Sequence, residues 1–159
     1  MNSIKRHIVI ASHSTLAQGM ASALKFFEGD NLKLNVLSAY VDNRPIEGQI
    51  EEIFSQFDKK DEVIVLTDLL GGSVNQKFFP YIDRPHTHLI TGMNLSLAMA
   101  ITMEPIEGYL MPEKIQSIIS EAKNQVKYVN ELAKNADEDD EDEWLEEESY
   151  SIWSVRTKL

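Results

Sequence analysis

The sequence contains no cysteine, and this absence excludes several classes of protein. Without cysteine there is no disulfide scaffold, no thiolate nucleophile and no cysteine-ligated zinc. The chain also lacks an apolar run approaching the length of about 20 residues that a membrane-spanning helix requires. Its first residues, MNSIKRHIVIAS, do not have the layout of a cleavable signal peptide. We therefore expect a cytoplasmic protein.

Clusters of basic residues are also missing. The net charge is −11 at pH 7, and much of it comes from residues 137–148, of which ten are acidic and none is basic. Outside that run the chain has sixteen acidic and fifteen basic residues, so the remainder is nearly neutral. This remainder has no cluster of Lys and Arg that would neutralise the phosphates of a nucleic acid, and the acidic run would repel them. Nucleic acid is therefore excluded as a partner.

The length of 159 residues is enough for one domain with a hydrophobic core. We predict that this domain covers residues 1–135 and that an acidic linker follows over residues 136–149. Residues 150–159 begin with YSIWSV, in which polar and apolar side chains alternate as in a strand. This segment is either a strand that pairs with an edge of its own sheet or of a partner's sheet, or a dangling tail.

Four segments with the composition of strands precede this tail, and each is followed by a helical pattern. The predicted strands are 7–11, extended by polar residues to His13, then 33–41, 62–68 and 87–91. The predicted helices are 16–28, 46–57, 74–82, 95–103 and a long one that starts at Pro112 and keeps one apolar face as far as Ala133. Pro80 would interrupt the third helix, because proline cannot donate a backbone hydrogen bond.

Strands that alternate with helices indicate an α/β fold. Right-handed crossovers turn these units into a doubly wound, mainly parallel sheet with helices on both faces. We predict the strand order 2-1-3-4, with residues 150–159 as an antiparallel edge strand if they are ordered. Ligands of such sheets bind beyond the carboxyl ends of the strands, where the strand order reverses. Here that point lies between strands one and three.

His13 ends the first strand and Asp68 ends the third, so this topology brings the two side chains together. Ser12 or Ser14 can cap the helix that follows His13, and the free N–H groups of a helix start favour an anion. Neutral imidazole is a good nucleophile near pH 7 and can receive a phosphoryl group on nitrogen. A carboxylate bonded to the other ring nitrogen would fix the tautomer and stabilise the developing positive charge. We therefore predict His13 as the nucleophile and Asp68 as its partner.

A glycine turn follows Asp68. The backbone N–H groups of Gly71, Gly72 and Ser73 could cradle phosphoryl oxygens, because glycine lets the backbone approach a ligand closely. The same residues also have a structural interpretation, in which Asp68 and Ser73 cap a helix and the glycines only permit a tight turn. The convergence of His13, Asp68 and this turn on one edge favours the functional interpretation.

Other chemistries find less support. His86 and His88 have a spacing that is acceptable for metal ligands on a strand, but no third ligand is evident, and we predict no metal. A serine hydrolase would need a nucleophile elbow, which is absent, and neighbours in sequence rarely form a nucleophile–base pair. The glycine-rich patterns of nucleotide-binding loops are absent as well.

Over about residues 5 to 130 the chain resembles the mannose-family enzyme IIA domain of the bacterial phosphoenolpyruvate:sugar phosphotransferase system. Three motifs carry the resemblance: the strand that ends in His13, the turn Asp68-x-x-Gly71-Gly72-Ser73, and Gly92-x-Asn94 after the fourth strand. The resemblance implies a homodimer that exchanges a C-terminal strand, and a phosphohistidine at His13. It also implies HPr as phosphoryl donor, enzyme IIB as acceptor, Asn94 as a further phosphoryl-binding residue, and no cofactor. The membrane would be reached only through a transporter complex.

The sequence departs from this family pattern at three positions. Ser14, Val74 and Ser96 stand where the family usually has glycine, proline and proline. The Ser14 hydroxyl either adds to the phosphoryl site or narrows access to it. Two alternative functions therefore stay open: a phosphoryl donor to a dihydroxyacetone kinase, and a non-catalytic regulatory module that binds another protein.

Overall fold

A central sheet of four parallel strands organises the computed structural model, which describes residues 3–136. The strand order is β2-β1-β3-β4, as predicted. The elements in chain order are β1 (Arg6–His13), α1 (Leu16–Glu28), β2 (Asn35–Ala39), α2 (Ile46–Ser55), β3 (Glu62–Thr67), α3 (Ser73–Lys77), a 3₁₀ turn (Phe79–Tyr81), β4 (Thr87–Thr91), α4 (Leu95–Thr102), α5 (Pro112–Lys123) and α6 (Val129–Ala136).

Alternate residues of the central strands enter two separate cores, one on each face of the sheet. On one face Ile8 and Ile10 of β1 pack with residues of α1, α4 and α5. On the other face Val9 and Ala11 pack with residues of α2 and α3. β3 has no exposed residue, as expected for a strand covered on both faces. The predicted doubly wound α/β fold is confirmed.

The predicted long helix from Pro112 is wrong, because the structure contains two helices there. α5 ends at Lys123, and α6 begins at Val129. Ile115, Ile118 and Ala122 are buried under α4, but Val126 and Val129 are 76% and 67% exposed, although they share the same apolar spacing. Among the described residues the apolar spacing continues past the part of the chain that has a core to pack against. α6 still forms there, but none of its residues 129–135 is buried, so it gains little from tertiary burial.

The third helix is also shorter than predicted. α3 ends at Lys77, and Pro80 lies inside the 3₁₀ turn that follows it. This matches the physical effect of proline, whose ring and missing N–H prevent a regular helix from continuing through it. Phe78, between the two elements, is fully buried in the core shared with α2.

The tail predictions lie outside the described residues. These are the acidic linker over 136–149, of which only Ala136 is described, and the edge strand or tail over 150–159. The domain boundary at 135 therefore stays a prediction. In the described part, no helix has the length and apolar character needed to cross a membrane.

Candidate active site

His13 and Asp68 lie side by side at the carboxyl ends of the two central strands. His13 is the last residue of β1, and Asp68 comes directly after β3, which pairs with β1 in parallel. Asp68 Oδ2 lies 2.9 Å from His13 Nδ1 and accepts a second bond from the backbone N–H of His13 at 2.8 Å. The sequence-based pairing of these residues is what the sheet topology produces.

The carboxyl group of Asp68 is held in its ionised form. Burial alone would raise its pKa, but the hydrogen bonds from the backbone and ring of His13 outweigh that effect, and the pKa lies below its ordinary value. Oδ1 accepts a further hydrogen bond from the backbone N–H of Leu69 at 3.0 Å. Both carboxylate oxygens are therefore occupied by donors, which fixes the orientation of the group.

An ionised Asp68 determines which nitrogen of His13 carries the proton. A carboxylate without a proton can only accept, so Nδ1 of His13 is the N–H donor. Nε2 is then the nitrogen with a free lone pair. It faces the Ser73 hydroxyl at 3.2 Å, and the His13 side chain is 36% exposed. The ring nitrogen that carries the lone pair is thus the one turned away from the carboxylate.

The glycine turn contacts the ring directly. Gly71 has a φ of +69°, a left-handed conformation that glycine adopts without strain. Gly72 packs so closely against the site that a Cβ there would lie 3.2 Å from Cε1 of His13. Ser73 begins α3, whose first N–H groups have no partner inside the helix. The predicted turn is therefore part of the wall around His13.

Of the two predicted caps of α1, Ser12 makes the capping hydrogen bond and Ser14 does not. Ser12 is fully buried, and its hydroxyl accepts a 2.7 Å hydrogen bond from the N–H of Ala17 in the first turn of α1. The N-cap position itself belongs to Thr15, which makes no side-chain capping bond. Ser14 is exposed, has a φ of +53°, and donates its N–H to the carbonyl of Ala39 at 2.8 Å. Ser14 thus lies beside His13 in a strained conformation.

Asn94 is used locally in this structure. It is the N-cap of α4, and its Oδ1 accepts a 2.9 Å hydrogen bond from the N–H of Leu97. Among residues 3–136, no hydrogen bond joins the Asn94 side chain to His13, Asp68 or Ser73. Its predicted contact with a phosphoryl group stays a prediction.

Tyr40 is a site residue that the sequence reasoning missed. It follows β2, and its hydroxyl lies 2.7 Å from Oγ of Ser73 while its ring lies 5.7 Å from the ring of His13. Its position just past the end of the strand next to β1 was a signal that could have identified it. The second strand was weak in sequence, however, and its end was placed at Val41.

His86 and His88 are remote from this edge, because they lie at and near the amino end of β4. The His86 ring is stacked on Tyr109 at a centroid distance of 3.4 Å. His88 is half-buried, and burial lowers its pKa. Within the described residues, no group of three or more His, Cys, Asp or Glu side chains is arranged to hold a metal ion.

Solved structures with the same fold come from sugar phosphotransferase systems. A Klebsiella pneumoniae protein described as a candidate phosphoenolpyruvate-dependent sugar phosphotransferase permease is 31% identical, with a TM-score of 0.76 over 84% of this chain and 97% of that one. A phosphotransferase system IIA protein associated with the fucose utilisation operon of Streptococcus pneumoniae is 26% identical, with a TM-score of 0.63 over 84% of this chain and 99% of that one. The mannose/sorbose-specific IIA subunit of Enterococcus faecalis is 18% identical, with a TM-score of 0.68 over 79% and 95%, and supports the fold alone.

A family profile gives the same assignment. The family described as the fructose IIA component of the phosphotransferase system matches residues 7–119, which include β2, β3, β4, all of β1 except its first residue, and both members of the His13–Asp68 pair. This match covers more than half of the chain. The chain therefore belongs to the mannose-family enzyme IIA domains of the sugar phosphotransferase system.

Proposed function

We propose that this protein is a phosphocarrier that accepts a phosphoryl group on Nε2 of His13 from HPr and passes it to an enzyme IIB partner for sugar uptake. The observation that carries the proposal is the hydrogen bond that Nδ1–H donates to Asp68, because it leaves Nε2 as the ring nitrogen that carries the lone pair. Family membership supports the phosphotransferase role at the coarse level. The geometry around His13 supports the choice of residue and of nitrogen.

Each transfer step is an in-line displacement between two nucleophiles. The Nε2 lone pair attacks the phosphorus of the donor's phosphohistidine, and the new N–P bond forms as the donor's N–P bond breaks. The electron pair of the broken bond returns to the donor's imidazole. The Nδ1–H proton stays on His13 in its hydrogen bond to Asp68, so the positive charge on the ring lies beside a carboxylate. Onward transfer to IIB repeats the displacement in the opposite direction.

The surrounding groups bind the phosphoryl oxygens in this proposal. Ser73 offers its hydroxyl at the nitrogen that receives the group, and the N–H groups of Gly71 and Ser73 supply further donors. The N–H of Gly72 donates to the carbonyl of Leu69 at 3.1 Å, so this glycine contributes its close approach to the ring instead. Ser14 is exposed beside His13 and has a hydroxyl of its own. Such fixed donors stabilise the transferring group without reorganisation, which is the main contribution a protein makes to phosphoryl transfer.

We propose further that the protein acts as a homodimer in the cytoplasm and reaches the membrane only through its transporter complex. A homodimer is supported by the open edge of β4, which has no neighbouring strand among residues 3–136. Thr91, at the end of that edge strand, has a buried hydroxyl without a hydrogen-bond partner in the described part of the chain. A fifth strand at that edge, from the same chain or from a partner, would cover the exposed backbone groups.

Intact mass spectrometry tests the carrier role. The purified protein is incubated with phosphoenolpyruvate, enzyme I and HPr, alongside His13→Ala and His7→Ala. His7 is the matched control because it is bonded to a carboxylate, Asp61, at the opposite end of the same strand. We expect one acid-labile phosphoryl group on the wild type and on His7→Ala, and none on His13→Ala. A folded wild type that gains no phosphoryl group while HPr is phosphorylated would contradict the proposal and support the binding-module alternative.

A further inference from the structure

Tyr40 has an unusual backbone conformation for a residue with a large side chain. Its φ is +66°, in the left-handed region that side chains other than glycine, asparagine and aspartate rarely adopt. Such a conformation is strained and persists only where the surroundings enforce it. Because Ala39 pairs with His13 in the sheet, the next residue along β2 is placed at the edge of the His13 site. The strained backbone therefore holds a phenol beside the reactive ring.

The hydrogen bonds around His13 form a chain with one consistent direction. With the neutral imidazole that acts as the nucleophile, Nδ1 donates to Asp68 and Nε2 accepts, and Ser73 is the group that donates its hydroxyl proton to Nε2 at 3.2 Å. A hydroxyl has a single proton, and that of Ser73 is used at Nε2. The 2.7 Å contact between Tyr40 and Ser73 is then a bond in which Tyr40 donates and the Ser73 oxygen accepts.

The direction of these hydrogen bonds links Tyr40 to phosphoryl transfer. With Tyr40 donating to its oxygen, Ser73 keeps its proton pointed at Nε2, which is where the phosphorus arrives. A phosphoryl group on Nε2 replaces the lone pair with anionic oxygens, and these take over as acceptors of the same proton. Without the phenol, the Ser73 hydroxyl would rotate among several acceptors, including water. Orientation of a donor before the reaction is what gives it value in a transition state.

We propose that Tyr40 is a positioning residue that acts on His13 through Ser73, by holding the Ser73 hydroxyl ready to donate to the phosphoryl group on Nε2. The inference rests on the proposed carrier function, and it adds a residue that directly follows a third strand to the His13–Asp68 site. Tyr40 itself is 59% exposed and makes no hydrogen bond to His13 in the described residues. Its effect must therefore pass through Ser73.

A double-mutant cycle tests this route. Tyr40→Phe, Ser73→Ala and the double variant are compared with the wild type in single-turnover phosphoryl transfer from phosphorylated HPr. Tyr109→Phe is the matched control, because its hydroxyl donates to the carbonyl of Lys60, remote from His13. We expect Tyr40→Phe to slow transfer by about threefold to tenfold, the worth of one neutral hydrogen bond. Ser73→Ala should slow transfer at least as much, and the double variant should be no slower than Ser73→Ala.

Two kinetic results would overturn the proposal. The first is a Tyr40→Phe variant as fast as Tyr109→Phe. The second is additive losses in the double variant, because additivity means that Tyr40 acts independently of Ser73. A direct contact of the phenol with the phosphoryl group would give that second result.

A spectroscopic measurement separates this inference from the carrier function. The ¹⁵N resonance of the lone-pair nitrogen of His13 reports the hydrogen bond from Ser73 in the unphosphorylated protein, at fixed pH. We expect this resonance in Tyr40→Phe to move towards its position in Ser73→Ala, while Tyr109→Phe leaves it unchanged. A resonance that moves in Ser73→Ala but not in Tyr40→Phe would overturn the positioning role. A wild type that takes no phosphoryl group from HPr would count against the carrier function, and the resonance would still decide the role of Tyr40.

Discussion

The two central strands have a histidine–aspartate pair at each end, and the two pairs are alike in bond length. At the carboxyl ends His13 Nδ1 lies 2.9 Å from Asp68, and at the amino ends His7 Nε2 lies 2.8 Å from Asp61. In both, burial would raise the pKa of the carboxyl, but hydrogen bonds from the histidine and from a backbone N–H lower it. A bonded histidine and aspartate alone therefore do not distinguish a reactive site.

The surroundings of the two rings differ. The His7 ring lies flat against Phe57 at a centroid distance of 4.1 Å, and its side chain is 23% exposed. The His13 ring is 36% exposed, and its free nitrogen faces the Ser73 hydroxyl. The carboxyl edge of a parallel sheet also precedes the helix N-termini, whose partial positive charge favours an anion, whereas the helix C-termini lie towards the amino edge. The chemistry of the pair is therefore set by what the second nitrogen faces.

Replacing each aspartate by asparagine should give the largest difference between the two pairs in the rate of phosphoryl transfer. Asp68→Asn should slow phosphoryl transfer by at least about 100-fold, because the negative charge beside the ring is lost and an amide cannot accept from all three N–H donors around that carboxyl. Asp61→Asn should leave transfer within about twofold and lower the free energy of unfolding by about 2 kcal/mol. The measurements are single-turnover transfer from HPr and urea unfolding. Equal losses of transfer in the two variants would contradict the distinction.

The pH dependence of the free energy of unfolding gives a second measurement on the two aspartates. A carboxyl whose pKa is lower in the folded state contributes stability that is present above the unfolded pKa of about 3.9 and is lost as pH falls through the folded pKa. The wild-type free energy of unfolding should therefore fall below about pH 4 as Asp61 and Asp68 become protonated. Asp61→Asn should reduce this fall, since one of the two groups no longer titrates.

At the carboxyl edge the backbone of Gly72 lies close to the ring of His13. Adding a single methyl group at residue 72 tests whether this close approach matters for phosphoryl transfer. Gly72→Ala adds a Cβ 3.2 Å from His13 Cε1 and from Cβ of Leu69, so the ring must shift by a few tenths of an ångström. We expect transfer to slow by about tenfold, because the reacting nitrogen is displaced from its donors. Gly48→Ala is the control: it lies in α2 with open space around it and should gain about 0.5 kcal/mol in stability. An unchanged rate in Gly72→Ala would show that the ring position is not critical.

The smallest expected effect concerns the strained residue beside His13. Ser14→Gly removes a left-handed conformation that costs about 1 kcal/mol, but it also makes the unfolded chain more flexible, so the net gain is about 0.5 kcal/mol in unfolding free energy. Ser14→Ala loses the hydroxyl and keeps the strain, so it should gain no stability. If the hydroxyl binds the phosphoryl group, both variants should slow transfer by a similar factor. A loss in Ser14→Gly alone would point to the backbone instead.

The strand order and the meeting of His13 with Asp68 were predictable because both follow from local pattern and one topological rule. Buried parallel strands appear in sequence as short apolar runs, and right-handed crossovers leave few ways to order them. The prediction was wrong where the apolar spacing continued past the core, at Val126 and Val129. Hydrophobic spacing indicates which face of a helix would be buried. It does not indicate whether another element of the fold is present to cover that face.

The sequence by itself determined the α/β alternation, the two residues at the central strand ends and the glycine turn, since each depends on neighbours within one element and its loop. Tertiary structure decided the rest. Only the assembled sheet places the Tyr40 hydroxyl against Ser73 and the backbone of Gly72 against the ring of His13. These contacts join elements whose separation in space is set by packing across the whole sheet, and packing depends on the combined volumes of many side chains.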